Sequence, residues 1–282
     1  MAPMEIESPA NPRIRAALAL RERRERDRTG LTLVDGAREA RRAIEAGVEV
    51  ETAFVCRELL ASDDALAAVA RLGGGGSAGG GGAGGTGGGA AELIDVSRRA
   101  FDRLAYGDRG DGIVLVVRAP ATALPVKPLG PDPVVIITED VEKPGNLGAI
   151  LRSADATGAT MVVAAGGTDL FNPNVIRASV GTVFSVPVAA APAGEVRAWL
   201  AGHGLRIVAA RVDAEALHVD IDLRPPVAIV LGSEADGLSA TWNGDDVTPV
   251  RLPMLGVADS LNVAAAAAVL LYESWRQRRG DA

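Results

Sequence analysis

Four apolar runs in the second half of the chain restrict its fold more than any other feature. They are VVIIT (134–138), MVVAA (161–165), RIVAARV (206–212) and VAIVLG (227–232). None alternates polar with apolar residues, so none suits a sheet with one wet face. A strand that is apolar on both sides must be covered on both sides. The stretches between them have helical spacing, GEVRAWLAGHG (194–204) among them. Strands alternating with helices imply a parallel sheet with helices on its two faces. In such sheets ligands bind where the carboxyl ends of the strands release the chain into loops. This α/β region spans 134–282. It follows APATALPVKPLGPDP (119–133), whose five prolines read as an extended, semi-rigid linker over 120–133.

A second, smaller pattern precedes the linker, over residues 1–119. RIRAALALRERRERDR (13–28) reads as one helix, LTLVDG (31–36) as a strand and AREARRAIEAG (37–47) as a helix ended by Gly47. VETAFVC (50–56) reads as a strand, and SDDALAAVARL (62–72) as a helix with Ser62 as its N-cap. IVLVV (113–117) reads as a buried strand. The expectation is a small α/β/α sandwich. Within it GGGGSAGGGGAGGTGGG (73–89) holds thirteen glycines in seventeen residues. Such a chain has nothing to bury and the largest entropy to lose, so 73–91 is expected to be a disordered surface insertion.

Composition removes several classes of function. Cys56 is the only cysteine, which rules out an internal disulfide and argues against a multi-cysteine zinc site. The two histidines, His203 and His218, make a histidine metal centre an unpromising reading, so no metal is expected. There is no basic segment followed by an apolar run at the start, and no apolar run of membrane-spanning length. The expectation is a soluble cytoplasmic protein.

The net charge is −7, yet residues 11–42 carry ten arginines against five acids. Arginine suits phosphate because its planar fork donates two parallel hydrogen bonds. Arg13, Arg15, Arg21, Arg24 and Arg38 are the candidate nucleic-acid contacts. The competing reading is a solvated helix face, since RERRERDR interleaves acids with arginines.

Three loops should leave strand ends with unusual composition. The first is KPGNLGAILRSADATGA (143–159), where Asn146 reads as an N-cap and Gly158 as a C-terminal cap. Leu147, Ile150, Leu151 and Ala154 share one helical face, and Arg152 lies off it. Neither GxGxxG nor GxxxxGK[ST] is present, so the glycines mark no dinucleotide or phosphate loop. The second is VLGSEADGLS (230–239), with two glycines around Glu234. The third is RLPMLGVADSLNVAAAAAVLLYESWRQRR (251–279), in which Ser260 and Asn262 stand at a helix start. Its helix is apolar nearly all round from Val263 to Trp275, so it should be buried against sheet or partner subunit.

Taken together in order and spacing, these loops resemble the SpoU (TrmH-like) family of RNA ribose 2′-O-methyltransferases, within the SPOUT superfamily. NLGAILRSADATGA is similar to its first motif, LGSEADGLS to its second and LPMLGVADSLNVAAAAAVLLYE to its third. FNPNVIRASVGTVFSVPV (171–188) resembles the segment between the first two. The arginine-rich N-terminal region resembles the RNA-binding domain that precedes many of these enzymes. The chain departs from the pattern in its glycine insertion and in Ser233, where the family often has asparagine.

The resemblance implies a deep trefoil knot in the C-terminal domain, a homodimer through its last helix, and S-adenosyl-L-methionine as methyl donor. By motif position Gly232, Leu252 and Leu261 would contact that cofactor, with Leu231 and Met254 nearby. Arg152 would act on the ribose hydroxyl, supported by Asn146, Glu234, Ser260 and Asn262. A guanidinium stays protonated, so positioning or electrostatic stabilisation suits Arg152 better than proton abstraction, and Glu234 could orient it. A ribose 2′-hydroxyl exists only in RNA, and the auxiliary domain favours ribosomal RNA over tRNA. The alternatives are a tRNA methyltransferase, an rRNA methyltransferase conferring thiopeptide resistance, a non-catalytic RNA-binding protein, and a dinucleotide-binding dehydrogenase, which the absent GxGxxG disfavours.

Overall fold

The apolar runs form the centre of a six-stranded sheet in a computed structural model that describes residues 5–73, 91–106 and 110–279. The glycine-rich stretch falls almost wholly outside the described residues. The chain folds into two compact units, one of residues 1–120 and 171–185, the other of 121–170 and 186–282. Sequence order had placed 171–185 with the second unit, but this segment folds with the first.

The first unit holds β1 (Glu5–Ile6), α1 (Pro12–Ala19), α2 (Arg23–Thr29), β2 (Leu31–Asp35), α3 (Ala37–Glu45) and β3 (Val50–Val55). It continues with α4 (Asp63–Gly73), β4 (Glu92–Val96), α5 (Arg98–Leu104) and β5 (Ile113–Arg118). Its sheet runs β1-β4-β3-β5-β2, parallel from β1 to β3 and antiparallel where β5 meets β3 and β2. Ile14, Ala17 and Leu20 join Phe101 and Leu104 of α5 over Leu33, Phe54, Ile94, Val114 and Val116. Side chains alternate across a strand. The residues of opposite parity, such as Val34, Val55, Leu115 and Val117, are therefore also buried, and α3 packs on β2 and β5. The single helix expected over 13–28 is two. Around Leu20 the helix gives way to tighter turns, and buried Arg26 folds back to donate to the Leu20 and Arg21 carbonyls, each at 2.7 Å. Ser62 does cap α4, its hydroxyl accepting the Ala65 N–H at 3.2 Å.

The second unit holds β6 (Val134–Glu139), α6 (Pro144–Thr157), β7 (Met161–Ala165), β8 (Val188–Ala191), α8 (Ala193–Gly202), β9 (Arg206–Ala210), β10 (Val227–Leu231), β11 (Val247–Val250) and α9 (Val263–Arg279). The short α7 (Pro173–Ala178) lies in the first unit. The sheet order is β11-β9-β10-β6-β7-β8, and every pairing is parallel. One face, with Val135, Ile137, Val163, Ala228 and Val230, packs under α8 and Trp242. Residues of the other parity, Ile136, Val162 and Ile229, are equally buried, with α6 and α9 packed together and α9 against β10. Leu147, Ile150, Leu151 and Ala154 are fully buried as the helical stripe requires, and Gly158 closes α6 in the left-handed conformation at φ 68°.

The proline-rich stretch is irregular in backbone but is not a free spacer. Leu124 and Leu129 pack on the second unit's core, and the Trp199 indole donates to the Pro125 carbonyl at 2.8 Å. Among the described residues no helix is long and apolar enough to cross a membrane.

Candidate active site at the carboxyl ends of β6 and β10

Parallel β6 and β10 are neighbours in the sheet, so the loops leaving them emerge side by side. The loop after β6 delivers Lys143 and Asn146, and the loop after β10 delivers Glu234. Asn262 arrives from a third direction, at the residue preceding α9. These groups meet in one network. The Glu234 Oε1 accepts from Asn146 Nδ2 at 3.1 Å and from Asn262 Nδ2 at 2.6 Å. Asn262 Nδ2 also donates to Asn146 Oδ1 at 3.0 Å, and the Lys143 ammonium donates to Glu234 Oε2. The amide oxygen of Asn262 accepts the Ala264 N–H at 3.0 Å, so this one side chain both caps α9 and joins three loops. The Lys143 hydrogen bond, aided by those from Asn146 and Asn262, holds the Glu234 carboxyl below its ordinary range, so it is ionised at neutral pH.

Asn146 is not the N-cap that the sequence suggested. Helix α6 begins two residues earlier at Pro144, with Lys143 in the capping position. Proline suits a first helical turn because its missing N–H would be unpaired there. Asn146 is thereby inside the first turn, and its amide is available to Glu234 and Asn262. Arg152 stands six residues further along α6, about 9 Å up the axis and roughly 120° round it. It is exposed, and no described residue pairs with its guanidinium. Within this chain the hydrogen bonds of Glu234 go to Lys143, Asn146 and Asn262, and none goes to Arg152. Ser260 is exposed and outside this network.

The residues expected around a cofactor fall into two kinds. Leu231 is buried at the end of β10, and Gly232 follows it where the chain turns back. Leu252 and Met254 are half-buried, and Leu261 is 41% exposed. A Cβ on Gly232 would overlap the carbonyl of Gly237, so the turn over 232–238 closes directly onto this glycine.

Two residues escaped the sequence reading. One is Lys143. The other is Glu139, buried at the end of β6, whose carboxylate accepts the Ser239 N–H at 2.7 Å and its hydroxyl at 2.8 Å. An acid at the end of a wholly apolar strand was the available signal, because a buried carboxylate requires partners. It ties the far end of the 232–239 loop to β6. Glu139→Ala is expected to leave two donors unmet, cost about 2–3 kcal/mol and lower the melting temperature by roughly 5 °C. Glu139→Gln, which keeps one acceptor, should lose less, and calorimetry of the two variants checks this.

The candidate RNA contacts do not behave as one group. Arg13 pairs with Glu92 at 2.5 Å, and Arg38 lies 3.8 Å from Asp64. Arg15 and Arg24 are exposed and make no hydrogen bond or ion pair with a described residue, though Arg24 attracts the neighbouring Glu25 carboxylate. Arg21 donates to the carbonyls of Leu104 and Ala105 at 2.9 and 3.2 Å.

Comparison with known proteins agrees with this geometry. Residues 133–272 match the SpoU rRNA Methylase family, and residues 11–115 match an MRM3-like substrate binding domain. A 23S rRNA (uridine(2479)-2′-O)-methyltransferase of Streptomyces viridochromogenes is 37% identical over 173 residues, 59% of this chain and 60% of that one. The crystal structure of an RNA 2′-O ribose methyltransferase is similar over 98% of this chain and 100% of that one, at 43% identity and a TM-score of 0.81. The SpoU methyltransferase AviRb from Streptomyces viridochromogenes, in complex with the cofactor AdoMet, matches 95% of this chain and 98% of that one at 30% identity and a TM-score of 0.80. The likeness to the RNA 2′-O ribose methyltransferase spans both units of the chain, and the chain belongs to the SpoU rRNA methylase family.

Proposed function

We propose that this protein transfers a methyl group from S-adenosyl-L-methionine to a ribose 2′-hydroxyl of ribosomal RNA, in a cytoplasmic setting. The observation that carries the reading is the Lys143–Glu234–Asn146–Asn262 network, which assembles the three family motifs at the carboxyl ends of β6 and β10. The relatives named above are 23S rRNA and RNA 2′-O-methyltransferases, one of them with its AdoMet cofactor.

The residues present fit the methyl donor. The turn over 232–238 leaves Gly232 without room for a side chain, a tight backbone cradle of the kind an adenine can hydrogen-bond. Leu231, Leu252, Met254 and Leu261 would supply apolar cover for its faces. When bound, the cofactor would supply an electrophilic sulfonium methyl to the 2′-oxygen, leaving as the neutral thioether while the hydroxyl proton passes to solvent. Asn146, Glu234 and Asn262 hold the first and third loops in register, and Ser260 lies two residues from that junction. Arg152 fixes the nucleotide and stabilises negative charge growing on the 2′-oxygen.

The C-terminal unit is further read as a deep trefoil knot. After edge strand β11 the chain pairs at Arg251 with the 216–218 loop, and Asn262 then returns to β6 and β10, on the other side of β9. The first unit is read as the RNA-binding α/β/α sandwich. A homodimer through α9 is supported by the apolar Val269, Tyr272 and Trp275, which are 39%, 49% and 36% exposed while Val263, Ala267, Leu270 and Leu271 of the same helix are buried. Mapping 2′-O-methyl sites in ribosomal and transfer RNA, with and without the protein, tests the function. A new site confined to ribosomal RNA is expected; methylation of tRNA alone would overturn the substrate assignment.

A further inference from the structure

Tyr106 follows α5 and leaves 43% of its surface exposed. Both of its backbone groups are tied down. Its N–H donates to Asp35 Oδ2 at 2.6 Å, and its carbonyl accepts from Arg177 at 3.3 Å. The ring lies against two guanidiniums, Arg21 at 5.0 Å and Arg177 at 4.2 Å from its centroid. The Arg21 guanidinium is fixed in turn by the Leu104 and Ala105 carbonyls. Arg21, Tyr106 and Arg177, with Asp35 and Asn174, line a shallow depression. Arg177 comes from the 171–185 segment, which the sequence order assigned elsewhere, and all of these residues belong to the first unit.

The pairing of the two guanidiniums is the informative property of this cluster. The hydrogen bonds of both guanidiniums to described residues go to neutral carbonyls, and no described carboxylate makes an ion pair with either. Asp35 is the acid that lines the depression, and burial pushes its carboxyl upward against the Tyr106 N–H and the two arginines. The site thus presents an aromatic face and two planar cations, with the Asp35 carboxylate engaged by the Tyr106 backbone N–H and not hydrogen-bonded to either guanidinium. That combination suits an unpaired nucleotide, with its base stacked on the ring or a guanidinium plane and its phosphate on the guanidinium edges.

We propose that Arg21, Tyr106 and Arg177 form a stacking site for one unpaired nucleotide of the RNA substrate. This rests on the reading of the protein as an RNA methyltransferase and adds where the first unit grips its substrate. The probe is a 23S rRNA transcript, with full-length protein, filter binding and steady-state methylation. Tyr106→Ala and Tyr106→Leu should each weaken binding about tenfold and raise KM similarly, with kcat within about twofold of wild type. Tyr106→Phe keeps the ring and should bind as wild type. Arg177→Ala should weaken binding and flatten the salt dependence by about one phosphate contact. Circular dichroism melting of each variant reports folding separately. Wild-type affinity in Tyr106→Ala, or equal loss in Tyr106→Phe, would overturn the stacking site while wild-type methylation left the enzyme reading standing. A wild-type protein that neither binds nor methylates the transcript would overturn that reading and this site with it.

Discussion

Replacing Arg152 by alanine is expected to lower kcat for RNA methylation by at least roughly a thousandfold while leaving affinity for S-adenosyl-L-methionine within about twofold. The asymmetry follows from where the residue stands. Arg152 is an exposed side chain on the solvent side of α6, with no ion pair or hydrogen bond to another described residue. Its removal breaks nothing in the fold, and melting should shift by no more than about 1 °C. What it removes is a cation with two parallel donors at a nucleotide. Arg152→Lys keeps the charge but not the fork, so it should recover only part of the rate. The loss should also be independent of pH from about 6 to 9, because the guanidinium stays protonated throughout that range. A general base behaves differently: removing one abolishes the rise of rate with pH. Single-turnover methylation across pH, with cofactor affinity by calorimetry, separates these cases. Near-normal turnover by Arg152→Ala would sink the role.

What the sequence showed depended on how much of each signal was local. The strands β6, β7, β9 and β10 are buried on both faces, and that demand is written directly into runs such as VVIIT and VAIVLG. Strands β4 (ELIDV) and β11 (VTPV) were missed for the opposite reason. Their polar residues and Pro249 give no strong pattern, and β11 is an edge strand, where proline is tolerated. The network formed by Asn146, Glu234 and Asn262 was legible only through the family's motifs, since each residue alone reads as an ordinary cap or turn. Lys143 belongs to no pattern of its own, and its pairing with Glu234 spans 91 positions. The grouping of 171–185 with the first unit was likewise invisible, because sequence order says where a segment lies in the chain and not which core it joins. The same limit hid the Tyr106 cluster, whose three members come from 21, 106 and 177.

Gly232→Ala should be the most damaging small substitution in the second unit, because the space a methyl needs is already backbone. A Cβ there would overlap the carbonyl carbon and oxygen of Gly237 and lie 2.6 Å from the Leu238 nitrogen. A flexible side chain could swing away, but a main chain held at both ends cannot. The turn is closed by the Gly237 N–H to Ser233 carbonyl bond at 3.1 Å and the Asp236 N–H to Ser233 hydroxyl bond at 3.1 Å. Beyond it Leu238 packs on the core and Ser239 is held by Glu139. Relief therefore requires the whole loop to lift from β10, carrying Glu234 away from Asn146 and Asn262. The expected result is a loss of about 3 kcal/mol in stability and at least roughly a hundredfold in cofactor affinity. Gly237→Ala provides the contrast. Its φ of 66° disfavours a side chain, but a Cβ there meets nothing within 4 Å. Strain of about 1–2 kcal/mol is its only expected cost, with cofactor binding largely kept. Melting curves and calorimetric titration of S-adenosyl-L-methionine on both variants decide between crowding and conformation. If Gly232→Ala melted and bound cofactor like wild type, the loop would be plastic, and the cradle assigned to residues 232–238 would have to lie elsewhere.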